Sequence, residues 1–319
     1  MRTETLPEHL WRSRQAAHEE RVDGWTQPFL RRRSLGVANP VEDFLFTYYS
    51  YRPAELRRWH PGLGVRVTGP GAATFADFKG YVVTAAGAQV DPGLPLRRAD
   101  QVRRVRRLVV STAGRAPMLG CFGLHEWAMV YHQAPDELRH SSYPLRLGSA
   151  ATDAVVDGHR VTCTHHDAFR FFTAEARPRN TVSPTRASQP EHEQPGCLHA
   201  TMDCYKWAYH LAPFASAELV ADCFELAREV RVVDMRAAPY DLTSLGLAPI
   251  AIETPAGKAE YINAQRGFAA RASGLRARLV DTCDQALERS VRPGCSRPSS
   301  AGGERKVRRP DDLLDGEEA

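Results

Sequence analysis

The sequence predicts an α+β fold in a single domain, with a small N-terminal β region, several core helices and a long C-terminal helix. Residues 64–90 combine β-branched runs with glycine and proline breaks, whereas helical patterns account for most of the remaining chain. No linker-like stretch divides the middle of the chain. We therefore expect a polar N-terminal segment at 1–24, one α+β domain at 25–290 and a disordered tail at 291–319, which is rich in proline, glycine, serine and charge.

The elements of the N-terminal half follow from local composition. Residues 5–22 predict a polar helix, residues 40–51 a buried aromatic segment, and residues 53–59 a short helix. Two or three strands are expected within 64–90, because this stretch alternates and is broken by Gly-Pro-Gly. Residues 96–108 carry seven charges and predict an exposed helix.

The middle of the chain is less regular. Residues 118–132 (MLGCFGLHEWAMVYH) predict a mostly buried helix, and 144–163 predict turns with short strands. A short aromatic segment at 167–175 precedes a polar, proline-containing loop at 177–194, whose length is typical of functional or disordered loops.

Three helices are expected to complete the domain. The first spans 197–211. The second runs from an N-cap at Ser216 to about residue 233, and the third begins at Pro255 in the N1 position and ends near residue 290.

Composition excludes several classes of protein. The chain has 319 residues, 43% of them hydrophobic, and no apolar run of the roughly 18–20 residues that a membrane span needs. The first 20 residues are polar and lack the apolar core of a signal peptide. Because the seven cysteines are odd in number and accompany no export signal, we expect reduced thiols and a cytoplasmic location.

The basic residues leave the question of nucleic acid open. There are 38 arginines and only 4 lysines, and arginine binds phosphate in a bidentate manner. The net charge of +4 is small for a DNA-binding domain, and a GC-rich coding bias also explains the preference for arginine.

Three short blocks concentrate reactive side chains among aromatic residues. In the first, Cys121 and His125 fall one helical turn apart and Glu126 and Trp127 follow. This block predicts either part of a functional site or a core helix that contains one hydrogen-bonded histidine.

The second block runs from Cys163 to Phe172 and holds His165, Asp167 and Arg170. Buried imidazole and carboxylate groups need polar partners, so packing alone does not explain this block. The simpler alternative is that Arg170 neutralises Asp167.

The third block places four ionisable residues on one helix face: His199, Asp203, Lys206 and His210, at i, i+4, i+7 and i+11. Trp207 and other aromatic residues flank them, which favours a cleft over a fully solvated face. Asp203 lies between two cationic neighbours, so we expect its pKa to be low and its carboxylate to be ionised.

We expect the three blocks to line one cavity. No cofactor is required for the chemistry considered below. A zinc site remains an alternative, because the pairs Cys163/His165 and Cys197/His199 together offer four ligands.

Longer strings carry a resemblance. The strings are HEWAMVYH, DAFRFF, EQPGCLHATMDCYKWAYHL, NPVEDFLFTYYSYRPAELRRWHPG, DMRAAPYDL and IETPAGKAEYINAQRGFA. Together they resemble a bacterial family of roughly 300-residue proteins named 3-methyladenine DNA glycosylase. The resemblance covers about residues 25–285. It implies a DNA-repair enzyme that releases alkylated purine bases by hydrolysis of the N-glycosidic bond, with DNA as its partner.

Such an enzyme needs a carboxylate, stacking surfaces and phosphate contacts. The candidate carboxylates are Asp203, Asp167 and Glu126. The candidate stacking residues are Trp127, Phe169, Phe171, Tyr205 and Trp207. The candidate phosphate-binding residues are Arg170, Lys206 and Arg186.

Two other functions fit the same residues. One is a hydrolase or transferase on a small anionic metabolite, with His125, His165 or His199 in acid–base roles and Arg170 or Lys206 holding the anion. The other is a non-catalytic binding protein whose polar cluster is a structural network. A positive surface as wide as a duplex favours DNA, whereas a closed pocket favours a metabolite. The sequence does not predict an oligomeric state.

Overall fold

A computed structural model of the chain describes residues 3–138 and 142–291. Within these ranges the chain is α+β, as predicted, with a small sheet near the N-terminus and a long C-terminal helix. The tail predicted to be disordered at 291–319 lies, apart from its first residue, outside the described residues.

The sheet has four short strands: β1 (Glu4–Leu6), β2 (Val65–Val67), β3 (Tyr81–Thr84) and β4 (Gly87–Val90). They lie in the order β1-β2-β4-β3, with β1 parallel to β2 and the other neighbours antiparallel. Three of them lie within the predicted strand region. β1 is an addition, because three residues beside a helix carry no alternation that a sequence pattern would reveal.

Five helices lie in the N-terminal half of the chain: α1 (Glu8–Ser34), α2 (Phe44–Thr47), α3 (Pro53–Arg57), α4 (Leu94–Arg97) and α5 (Ala99–Ala113). The boundary expected between residues 24 and 25 falls inside α1. Trp11 of this helix is fully buried and stacks at a ring-centroid distance of 6.3 Å on Trp59. α5 was predicted to be exposed, but its apolar face is buried at Val102 and Val105.

Seven helices follow: α6 (Leu124–Ala128), α7 (Gly148–Asp157), α8 (His166–Phe169), α9 (Gln189–His192), α10 (Leu198–Leu211), α11 (Ala217–Arg236) and α12 (Pro255–Val291). Short 3₁₀ turns occupy Pro70–Asp77, Pro135–Glu137, Arg177–Arg179 and Thr243–Leu245. α10 is the central helix, and it packs against α11 and α12. None of the helices within the described ranges is both long and apolar enough to cross a membrane.

Two predictions for the middle of the chain are wrong. The single helix expected at 118–132 is reduced to one turn, α6, because Phe122 and Gly123 adopt positive φ angles of 46° and 70°. The turns and strands expected at 144–163 are replaced by α7 and two isolated bridges, at Leu145 and Val161. The break before α6 has a consequence for the site, because it directs His125 and Glu126 into the core.

Candidate functional site

Three histidines from the three reactive blocks meet in the core. The ring of His199, in the first turn of α10, lies between the rings of His125 and His165, at centroid distances of 4.4 Å and 5.2 Å. His125 and His165 are buried, whereas His199 is half-buried. His165 and His199 follow His125 by 40 and 74 positions in the sequence, so tertiary packing brings the three histidines together.

One group of potential ligands consists of His125, His199 and Asp234, which we call the first triad. One ligand atom from each residue lies within 4.8 Å of the other two. His125 Nε2 and Asp234 Oδ1 are 3.0 Å apart. Within residues 3–138 and 142–291, no protein group forms a hydrogen bond with either ring nitrogen of His199. This imidazole therefore has a lone pair available for a ligand.

Arg231 fixes the carboxylate of the first triad. Its Nη1 donates to Asp234 Oδ2 at 3.1 Å and lies 3.2 Å from Glu126 Oε1. The guanidinium also lies 3.9 Å above the ring of Phe44. Arg231 and Asp234 sit three residues apart on the buried face of α11, so one helix turn supplies both the carboxylate and the group that orients it.

A second group lies beside the first and consists of His165, Glu193 and Asp203, the second triad. His165 Nε2 is 3.2 Å from Asp203 Oδ2 and 3.3 Å from Glu193 Oε1. The hydroxyl of Tyr49 donates to the other oxygen of Asp203 at 2.9 Å. All three members of the second triad are buried, so this is a dry, polar cluster inside an apolar core.

The two histidines of the first triad differ in proton affinity. Burial and the neighbouring His125 lower the pKa of His199 well below its ordinary value, so His199 is neutral at pH 7. Burial also acts to lower the pKa of His125, but the Asp234 carboxylate outweighs it and the net pKa is raised.

His165 keeps its proton on Nε2. The backbone N–H of Ala168 donates to His165 Nδ1 at 3.3 Å, which leaves Nε2–H to face the two carboxylates. Burial opposes the charged imidazolium, yet Glu193 and Asp203 raise the pKa of His165 to about 9. Burial acts to raise the pKa of Asp203, but Lys206 and His165 lower it overall, in agreement with the expected ionised carboxylate.

This charge distribution predicts a pH dependence of stability in the metal-free protein. The groups that face His165 are Glu193, Asp203, Asp167 and the neutral His199. Because the pKa of His165 is raised in the folded state from 6.5 to about 9, its contribution is complete below pH 6.5 and is lost as the pH rises towards 9. We expect a loss on the order of 3 kcal/mol across this window.

The measurement is urea unfolding at a series of pH values in the presence of EDTA. His165→Gln serves as the reference, because groups that do not face His165 titrate equally in both proteins. A stability difference between the two proteins that does not change from pH 6.5 to 9 would contradict the prediction.

A cationic rim adjoins the second triad. Lys206 Nζ donates to Asp167 Oδ2 at 2.8 Å, and Arg170 Nε lies 3.9 Å from the other oxygen of Asp167. Burial acts to raise the pKa of Asp167, but Lys206 and His165 lower it below its ordinary value. The simpler expectation that Arg170 neutralises Asp167 is thus only part of the arrangement, because Lys206 is the closer partner.

Several predicted site residues lie outside this cluster. Trp127 is fully buried, and its Nε1–H donates to Ala237 O at 2.9 Å. Tyr205 is also a buried core residue, and Arg186 is exposed on the loop before α9. Trp207 is half-buried under Lys206, with a 5.3 Å distance from Nζ to the ring centre.

The cysteines predicted as zinc ligands are not members of either triad. Among the described residues, the donors grouped with His165 and His199 are carboxylates and a further histidine. Burial raises the pKa of the thiols of Cys163 and Cys197, which keeps both protonated. His210, expected on the same face as His199, lies about 16 Å further along α10 and belongs to neither triad.

Sequence reasoning missed Asp234, Arg231 and Tyr49, and it noted Glu193 without assigning it a role. The sequence did contain a signal for Asp234 and Arg231. An arginine and an aspartate three residues apart on the apolar face of α11 are hard to bury unless they serve a polar centre. Nothing local distinguishes Tyr49 from the tyrosines beside it.

The donor set fits a divalent transition metal. Two histidines and one carboxylate are typical ligands of zinc, iron or manganese, and such sites keep positions open for water or substrate. A small cavity beside His125, lined also by Cys121, Thr164 and Gln194, has room for about one water molecule. Comparison of the chain with family models, with curated proteins and with solved structures finds no match.

Proposed function

We propose that the chain is a metal-dependent hydrolase that acts on a small anionic substrate, with a divalent cation held by the first triad. The observation that carries this proposal is the half-buried His199. Its ring nitrogens have no protein partner in the described part of the chain, and its ligand atom lies within 4.8 Å of those of His125 and Asp234. A purely structural network would satisfy this imidazole with a protein donor or acceptor.

The surroundings of the first triad suit hydrolysis. A bound divalent cation would supply an acidified water at neutral pH. Arg231 holds the outer oxygen of Asp234, which fixes the direction of the inner one. The ring of His165 stacks on His199, so the buried carboxylates of the second triad lie beside the first triad.

The rim supports an anionic substrate. Lys206 and Arg170 place two cationic side chains around the single carboxylate of Asp167. Both cations are partly exposed, at 22% and 31% of their side-chain surface, so an incoming phosphate or carboxylate group can reach them.

A DNA N-glycosylase acting on alkylated purines is the second candidate, with DNA as its partner. The observation that favours it is a half-buried aromatic surface beside Asp203. Phe44 stacks on Tyr48 at 4.9 Å, and Tyr51 stacks on Tyr209 at 5.0 Å. Such rings can hold an everted base. Asp203 itself is only 2% exposed and both of its oxygens are engaged, which favours the metal-dependent proposal.

We place either activity in the cytoplasm. The six cysteines within the described ranges are free thiols, and five of them are buried. Free thiols in this number are typical of a reducing compartment.

The test compares EDTA-treated protein with the same protein reloaded with Zn²⁺, Mn²⁺ or Fe²⁺. Substrates are p-nitrophenyl phosphate, bis-p-nitrophenyl phosphate, p-nitrophenyl acetate and alkylated DNA. We expect hydrolysis of a small ester to rise about 100-fold or more on metal loading and to be lost in His199→Ala. His210→Gln, a second half-buried histidine on α10, is the control and should keep the activity.

Two results would contradict the proposal. Equal ester hydrolysis with and without metal would remove the cation from the function. Release of alkylated bases that survives EDTA would favour the glycosylase instead, and Asp203→Asn would then test the carboxylate of that activity.

A further inference from the structure

We propose that the second triad binds a second divalent cation, so that the centre is dinuclear. The first cation belongs to the proposed function above, but the second has ligands of its own: His165, Glu193 and Asp203. His165 Nε2 stands 3.2 Å and 3.3 Å from the two carboxylate oxygens. Ligands that bind one ion at about 2.0–2.2 Å are separated from each other by roughly 3 Å, so these spacings match a coordination sphere.

The buried charge of the second triad calls for a cation. Glu193 and Asp203 are 1% and 2% exposed, and a single imidazole lies between them. The nearest ammonium group, Lys206 Nζ, is bonded to Asp167 and to neither of them. Two carboxylates in a dry interior require compensation, and the imidazole between them and the more distant ammonium of Lys206, which Asp167 shares, supply it only in part. A divalent cation at Nε2 would balance both.

Outer contacts hold the two carboxylates in place. Tyr49 donates to Asp203 Oδ1, which turns Oδ2 towards His165. Gln189, on the one-turn helix α9, donates from Nε2 to Glu193 Oε1, the same oxygen that faces His165, and so fixes its direction. Oriented carboxylates of this kind are the outer-shell arrangement found around metal ligands.

The two triads are neighbours. The ring of His199, a ligand in the first triad, stacks on His165 of the second at 5.2 Å with an interplanar angle of 25°. Two-metal hydrolytic centres place their ions about 3.5–4 Å apart, where both contact one water or one substrate oxygen. Adjacent triads in one core therefore favour a shared reaction site over two independent ones.

One contact must change when the second cation binds. Ala168 N–H donates to His165 Nδ1 at 3.3 Å, which places the ring proton on Nε2. A cation on Nε2 displaces that proton, and a neutral ring then carries its proton on Nδ1. This bond is long and therefore weak. The dinuclear proposal thus predicts that His165 loses the proton on Nε2 when the cation binds, visible in the ¹⁵N chemical shifts of the ring.

The test is a titration of the full-length, EDTA-treated protein with Mn²⁺, followed by calorimetry and electron paramagnetic resonance. We expect two equivalents to bind, exchange coupling to appear with the second, and His165 Nε2 to lose its proton in a parallel Zn²⁺ titration. His199→Ala should retain one equivalent and Asp203→Asn should retain one. Asp167→Asn, a nearby carboxylate outside both triads, should retain two.

Saturation at one equivalent, with an uncoupled six-line Mn²⁺ spectrum and a retained proton on His165 Nε2, would overturn the dinuclear proposal and leave the proposed function standing. Absence of any binding would overturn both. The wild-type stoichiometry and spectrum decide the question even if Asp203→Asn fails to fold.

Discussion

Replacing Asp234 by asparagine should lower the free energy of unfolding of the metal-free protein by about 3–5 kcal/mol, the usual consequence of breaking a buried ion pair. Asp234 is 0% exposed, and its two oxygens contact His125 and Arg231. Asparagine keeps the shape but removes the charge that pairs with Arg231 and raises the pKa of His125. The same substitution removes a ligand of the first triad, so metal-dependent activity should also be lost.

Urea unfolding in EDTA measures the first effect. Asp222→Asn is the matched control, because Asp222 lies on the same helix but is partly exposed and pairs with Arg21 and Arg278 at the surface. We expect the control to change stability by about 1 kcal/mol or less. Equal effects of the two substitutions would show that Asp234 is not part of a buried charge network.

Replacing Arg231 by methionine should be about as costly, in the range of 3–5 kcal/mol, because it leaves Glu126 and Asp234 buried without their shared cation. Methionine keeps a long apolar side chain at this position, although it loses the contact of the guanidinium with the ring of Phe44. The loss of stability in Arg231→Met therefore measures charge compensation more than packing.

A second substitution separates the loss of charge compensation from the loss of packing. Glu126→Gln added to Arg231→Met removes one uncompensated carboxylate, so the double variant should recover part of the lost stability. Arg228→Met, on the same helix but paired with Glu42 at the surface, is the control. A double variant that is as unstable as the sum of the two single variants would contradict the charge-network account.

Much of the fold follows from local sequence signals. The N-cap predicted at Ser216 is confirmed, since its hydroxyl accepts the N–H of Leu219 at 3.3 Å. Pro255 opens the long helix at the predicted position. These features depend on residues a few positions apart, where capping and the fixed φ of proline act strongly.

The candidate site was predictable only in part. The i, i+4 spacing of His199 and Asp203 predicts that both residues lie on the same face of a helix. In the structure Asp203 is buried and His199 is half-buried on that face. Which histidine each carboxylate meets is decided by tertiary packing. Asp234 reaches His125 across 109 positions of sequence, and no local pattern encodes such a pairing.

Backbone conformation also hid part of the site. The composition of residues 118–132 suits a helix, but the positive φ angles at Phe122 and His132 interrupt it at both ends. Left-handed conformations at residues other than glycine are uncommon, and they persist only where the surrounding structure enforces them. Tertiary contacts therefore override the helical pattern here, and the short helix α6 that remains turns Glu126 towards Arg231.

Metal binding by His199 is the most direct test of the account. Isothermal titration of the EDTA-treated, full-length protein with Zn²⁺ should show binding at the first triad. His199→Ala should weaken that binding by about 100-fold or more, whereas His210→Gln should leave it unchanged. Wild-type protein that binds no divalent cation, or that binds it equally well without His199, would contradict the account.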